Sequence, residues 1–264
     1  MELGLRERVA MVAAASKGIG FAVARALAEE GCRVSICART AATLEQAQAE
    51  LETLAGPGRV VAEPCDVSCA EDLERWHRRT VQALGPVDIL VTNTGGPPAA
   101  PFLDLSDEQW QAGFENTVLN VVRLCRLVIL DMQARGWGRI IHLTSLVAKH
   151  PSNELTLSST LRTGLSALTR LQSNQLAPMG ILVNAVLPGH TLTDRARELA
   201  RRQADQKGIT VEEALRERSA SIPVGRIADP SEIASAVVFL ASERASYITG
   251  VSLLVDGGAA QCAL

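Results

Sequence analysis

Tyrosine is almost missing from this chain: Tyr247 is the only one in 264 residues, and aromatic side chains together make up 3%. So few rings exclude a surface of stacking platforms for single-stranded nucleic acid. Positive charge is not in surplus either, with 26 Lys and Arg against 29 Asp and Glu and a net charge of −3. A basic face for duplex nucleic acid is therefore not expected. No apolar run approaches the ~20 residues that cross a bilayer. The opening residues Met1–Glu7 lack the apolar core of a secretory signal, so a cytoplasmic protein is expected. Six cysteines (32, 37, 65, 69, 125 and 262) form no C-x-x-C pair, and no histidine stands at ligand spacing beside Cys65 or Cys69. They read as reduced, mostly buried thiols, with no metal centre. Linkers, internal repeats and low-complexity tracts are absent too, which points to one domain over 1–264.

What is present is an alternation. Hydrophobic residues make up 47% and charged residues 21%, an ordinary globular balance. Short apolar runs at Val9–Ala14, Arg33–Ala38, Val60–Pro64, Val87–Thr92, Gly138–Thr144, Ile181–Val186 and Val251–Val255 read as strands. Between them, Gly18–Glu30, Thr43–Leu54, Ala70–Leu84, Asp107–Gln133, Leu155–Leu176 and Pro230–Ala241 read as helices. Arg195–Ser219 reads as a charged helical stretch without a strong buried face. Repeated βαβ units predict an α/β fold with about seven parallel strands flanked by helices, a doubly wound sheet.

The first strand runs into Ala13-Ala14-Ala15-Ser16-Lys17-Gly18-Ile19-Gly20 and then a helix. A helix N-terminus offers unpaired amides and the positive end of a dipole, which suits a pyrophosphate. Gly18 and Gly20 let backbone and phosphate approach closely, so Ser16, Lys17, Gly18, Ile19 and Gly20 are predicted to bind a dinucleotide in a single Rossmann-type domain. An acidic residue closing the second strand would hold the ribose hydroxyls of NAD. Cys37-Ala38-Arg39-Thr40 stands there instead, and Lys17 lies in the glycine loop. Two cations and no carboxylate favour NADP, with NAD as the alternative.

With these residues the chain resembles the short-chain dehydrogenase/reductase family, nearest its 3-oxoacyl-acyl-carrier-protein reductase-like members, from about Leu5 to Gly258. Asp66-Val67 resembles the family's adenine-contacting pair, and Thr92-Asn93-Thr94-Gly95 stands where Asn-Asn-Ala-Gly is usual. Val183-Asn184-Ala185-Val186-Leu187-Pro188-Gly189 resembles the strand and turn beside the nicotinamide, followed by Thr191 and Thr193. Ile222–Arg226, Pro230–Ala234, Tyr247–Gly250 and Asp256-Gly257-Gly258 complete the pattern. The resemblance implies coenzyme contacts at Asp66, Val67, Asn93, Gly95, Pro188, Gly189, Thr191 and Thr193. It also implies a substrate lid at about 191–222, a homotetramer, and a small carbonyl or hydroxyl compound as substrate.

The same registration exposes departures. The family serine is retained as Ser145, but its tyrosine position falls on Ser158 and its lysine position on Arg162. The helical asparagine registers on Thr117, beside Asn116, and Ala13-Ala14 replaces Thr-Gly. Hydride reduction of a carbonyl leaves an alkoxide that needs a proton from a group within hydrogen-bond reach. A serine hydroxyl is a far weaker acid than tyrosine, and Arg162 can bind ribose and supply positive potential but not pass protons on. Lys149 and His150, in the loop after Ser145, are the candidate replacements. His190 is a weaker one, and His77 and His142 read as structural. Three functions stay open: an NADP-dependent oxidoreductase with a rebuilt relay, a coenzyme-binding sensor that turns nothing over, and non-redox chemistry in the same pocket with Lys149 as base.

Overall fold

The computed structural model describes residues 2–262, so the expected domain limits at 1 and 264 fall outside it. Seven strands are ordered β3-β2-β1-β4-β5-β6-β7, every pair parallel: β1 (Val9–Val12), β2 (Arg33–Ala38), β3 (Val60–Pro64), β4 (Ile89–Thr92), β5 (Gly138–Leu143), β6 (Ile181–Pro188) and β7 (Ser252–Val255). β1, β4 and β5 are buried along their whole length, as strands covered on both faces must be.

Side-chain alternation sorts the helices into two layers. On one face Val12, Ile36, Val91 and Ile141 pack against α1 (Gly18–Glu29), α2 (Ala41–Ala55) and α9 (Pro230–Ala241), through Val23, Leu27, Leu51, Ile233 and Val237. On the other face Met11, Leu90, Ile140 and Val183 meet α3 (Ala70–Leu84), α5 (Asn120–Arg135) and α6 (Thr156–Leu176), through Trp76, Leu124, Met132 and Leu165. Crossovers leave β1 and β4 in opposite directions, so their C-terminal ends open a crevice. Among the described residues no helix is long and apolar enough to cross a membrane, and Cys32, Cys37, Cys65 and Cys125 are buried free thiols.

Three elements differ from the sequence reading. β1 ends at Val12 because the chain turns sharply through Ala14, whose φ is 48°. The helix expected over Asp107–Gln133 is α4 (Asp107–Phe114), a π-helical turn (Glu115–Leu119) and α5. The charged stretch expected to lack a buried face is two helices, α7 (Asp194–Lys207) and α8 (Val211–Ala220). They bury Ala200, Ala204 and Ala214 between them, and alanine's small contribution to periodicity hid that seam.

Beneath the crevice a polar chain crosses the apolar layers. Thr92 Oγ1 lies 2.8 Å from His142 Nδ1, and His142 Nε2 lies 2.9 Å from Gln172 Oε1. The amide oxygen only accepts, so Nε2 carries the proton and Nδ1 accepts from Thr92. Burial pushes the His142 pKa down to about 4, against a weaker upward pull from Gln172. Between pH 6.5 and 4 the unfolded chain therefore binds a proton that the folded one refuses, and stability falls as pH drops through that window, by about 3 kcal/mol in all. His142→Asn is expected to flatten the dependence of urea midpoint on pH between 6.5 and 4.5, even if it lowers the midpoint at pH 7. An unchanged slope would show that His142 does not set it.

Candidate active site

The crevice is lined by the loops that leave β1, β4, β5 and β6. The first turns back on itself so that α1 starts close to the sheet, and Gly20 is the point of closest approach. A Cβ there would lie 2.6 Å from the Ala14 carbonyl oxygen and 2.8 Å from Asn93 Nδ2. Those two atoms are themselves joined, Asn93 Nδ2 donating to the Ala14 oxygen at 3.2 Å. One hydrogen bond thus ties the loop after β1 to the loop after β4 across the crevice. Ser16 and Ile19 are half-buried beside it, and Lys17 is exposed as the N-cap residue of α1 without a side-chain cap. The cradle is narrow, backbone-lined and closed to larger side chains, which fits a diphosphate at a helix N-terminus.

The second strand delivers Arg39 to the surface, and among the described residues Arg39 makes no ion pair. Asp66 closes the third: its Oδ1 accepts from the Ser68 amide at 3.0 Å and the Ser68 hydroxyl at 2.7 Å, leaving its amide to donate to Asp72 at 2.9 Å. Val67 is buried next to it. Gly95 lies on an exposed loop that rejoins the body by a bridge between Ala100 and Leu155. At the end of β6, Pro188 is buried and the Gly189 amide donates to Val255 at 3.0 Å, with the Thr191 hydroxyl donating back to the Gly189 carbonyl at 3.2 Å. A Cβ on Gly189 would meet Asp256 at 2.6 Å, so only glycine fits this close turn. Thr193 caps α7 by accepting from the Ala196 amide at 3.2 Å, and its methyl lies 3.4 Å from where a Cβ of Gly18 would be. The structure therefore brings Ser16–Gly20, Asn93 and Thr193 together.

The catalytic candidates lie where α6 meets the loop after β5. Ser158 and Arg162 are both buried, one turn apart on α6. Arg162 Nη1 donates to the Thr144 carbonyl, while its Nε is buried without a partner among the described residues. Burial lowers the Arg162 pKa to about 10, so the guanidinium is still charged at neutral pH. Thr144 directly precedes Ser145, whose Oγ accepts from the Val147 amide at 3.4 Å. Two more α6 hydroxyls hold the following loop: Thr163 donates to the Ala148 carbonyl at 3.0 Å, and Ser159 accepts from the Ser152 amide at 3.1 Å. Lys149 is half-buried between these pins and His150 is exposed. Neither side chain has a hydrogen-bond partner among the described residues. His190 is exposed at the end of β6, and His77 sits away from the crevice on α3.

The tertiary structure adds three features to the sequence reading. Thr117 falls within the π turn with a buried hydroxyl that has no partner among the described residues, and it lines the same small cavity as Arg162, Thr92 and Asn93. No sequence signal marks a π turn. The Thr144 carbonyl that holds Arg162 is a backbone group and equally silent. Ala14 in the left-handed region was legible only as an alanine where the resemblance expects glycine. A Cβ there is strained.

Comparison with known proteins gives one answer throughout. A family model described as enoyl-(acyl carrier protein) reductase matches residues 13–260. A putative ketoacyl reductase of Streptomyces coelicolor is 34% identical over 254 residues, 95% of this chain and 96% of that protein. The 3-oxoacyl-[acyl-carrier-protein] reductase FabG of Vibrio cholerae is 34% identical, over 97% of this chain and 98% of its own length. L-sorbose reductase from Gluconobacter frateurii, solved with NADPH and L-sorbose, superposes with a TM-score of 0.95 at 31% identity, covering 99% of this chain and all of that one. An NADPH-bound short-chain oxidoreductase from Pseudomonas aeruginosa PAO1, described as containing an atypical catalytic center, gives 0.89 at 32% identity, covering 99% and 100%.

Relieving the one strained residue of the glycine loop gives a direct test of its geometry. Ala14→Gly is expected to raise stability by about 0.5–1 kcal/mol, the left-handed cost exceeding the added freedom of the unfolded chain. Thermal melting checks it. A lower melting temperature would mean that Ala14 is not held at positive φ.

Proposed function

The chain belongs to the short-chain dehydrogenase/reductase family, and from that membership we propose that it is an NADPH-dependent reductase of a small carbonyl compound, working with a rebuilt catalytic centre. The observation that carries this reading is the Arg162 contact: a buried, permanently charged side chain fixed to the residue before Ser145. NADPH fits the cradle of Ser16–Gly20, Asn93 and Thr193, with Asp66 and Val67 at its adenine end and Pro188, Gly189 and Thr191 at its nicotinamide end. Its chemical contribution when bound there is a hydride for the carbonyl carbon. Arg39 and Lys17 supply the positive charge that a 2′-phosphate requires. The likeness to L-sorbose and ketoacyl reductases supports a ketone as the substrate class.

The protein's own work is then to hold the carbonyl and return a proton. Ser145 donates a hydrogen bond to the carbonyl oxygen, and Ser158 lines the opposite side of that position. Arg162 raises the positive potential around the developing alkoxide without losing its own proton, since its pKa stays near 10. The proton comes from Lys149 or His150, on the loop that Thr163 and Ser159 pin to α6. α7 and α8 form the lid. Leu130 on α5 and Leu171 on α6 leave apolar side chains in solvent, which supports assembly into a homotetramer.

A second reading, a coenzyme-binding protein without turnover, is favoured by Ser158 and Arg162 at the tyrosine and lysine positions. Kinetics separates the two. Purified protein is expected to oxidise NADPH in the presence of a member of a ketone and 3-oxoacyl panel. Ser145→Ala should lower kcat/KM about a hundredfold, and loss of the proton donor in His150→Ala or Lys149→Ala should lower kcat by about 10²- to 10⁴-fold. Tight NADPH binding with no turnover across the panel would establish the second reading. Joint replacement Ser158→Tyr with Arg162→Lys is expected to raise ketone reduction, because the surrounding cleft is already arranged for hydride transfer.

A further inference from the structure

We propose that Asp194 sets the preference of this chain between 2′-phosphorylated and unphosphorylated coenzyme, by holding the cation that would otherwise meet the phosphate. The proposal rests on the coenzyme reading above and assigns a specificity role to a lid residue.

Lys17 and Arg39 are the two cations beside the expected 2′-phosphate, and they are not equally available. Arg39 is exposed and makes no ion pair among the described residues, whereas Lys17 Nζ lies 3.2 Å from Asp194 Oδ2. Asp194 is the first residue of α7, and its backbone is placed by its neighbour: Thr193 caps the helix, with its methyl 3.4 Å from where a Cβ of Gly18 would be. The carboxylate is therefore held over the glycine loop by the root of the lid. Other charges line this groove, among them Arg197, one turn on from Asp194 and without an ion pair among the described residues. Arg25 pairs with Glu29 at 3.0 Å, and Asp229 accepts from the Ser231 amide at 2.9 Å to cap α9.

Lys17 and Asp194 are both largely exposed, at 66% and 71%, so the pair exchanges partners without unfolding anything. A 2′-phosphate carries about −1.5 to −2 charge at neutral pH. It meets two obstacles at Lys17: an ammonium already facing a carboxylate, and that carboxylate's own negative charge. NADH presents nothing at this position and meets neither. Asp194 thus opposes NADPH selectively, and the discrimination of this chain rests mainly on Arg39.

Fluorescence titration of NADPH and NADH against wild type, Asp194→Asn, Lys17→Gln and the double variant tests this without turnover. Asp194→Asn is expected to tighten NADPH about two- to fivefold, the range open to an exposed ion pair, and to leave NADH unchanged. In the Lys17→Gln background the same substitution should give no such gain. Equal tightening of both nucleotides, or an undiminished gain without Lys17, would overturn the assignment while leaving coenzyme binding intact. If wild type binds neither nucleotide, the coenzyme reading itself fails. Circular dichroism confirms that each variant is folded.

Discussion

The reversal of strand order between β1 and β4 is the constraint from which the rest of this molecule follows. It sends one crossover to each face of the sheet and leaves a gap at the strand ends that neither layer of helices can fill. The gap is spanned by a contact between loops, Asn93 to the Ala14 carbonyl, over a glycine that tolerates no side chain. Every candidate residue is positioned relative to that gap. The glycine loop forms one wall, the loop after β4 the other, and the ends of β5 and β6 complete it.

Arg162 shows how a buried charge is absorbed structurally. A buried guanidinium needs partners, and it finds one in the Thr144 carbonyl, which stitches α6 to the end of β5. Among the described residues its Nε is left without a partner, as is the hydroxyl of Thr117 in the same small cavity. Unsatisfied buried groups are costly and concentrate where function demands them. Arginine keeps the charge that lysine would bring but gives up the ability to pass a proton. The neighbouring loop, which carries Lys149 and His150, is held to the same helix by the hydroxyls of Thr163 and Ser159.

The lid illustrates a different balance. α7 and α8 are rich in charge and were legible as helices, yet they form a hairpin with a private alanine seam and internal ion pairs such as Lys207 with Glu217 at 2.6 Å. Their root is fastened to the glycine loop by Thr193 and by the pair of Lys17 with Asp194. A residue of the glycine loop and the first residue of α7 are thus joined by charge.

Much of this was written in the chain. Apolar runs of strand length, glycines at the first βα junction, and cations in place of an acid after β2 carry local information that needs no tertiary context. So do the serine at 145 and the replacements at 158 and 162, because position along a helix fixes which side chains share a face. The structure alone decided what depends on atoms far apart in sequence. Asn93 reaching Ala14, the Thr144 carbonyl taking Arg162, and Asp194 claiming Lys17 each join segments at least 18 residues apart. Such contacts are selected by the packing of whole elements and by backbone groups that every residue carries, and a linear pattern of side chains does not record them.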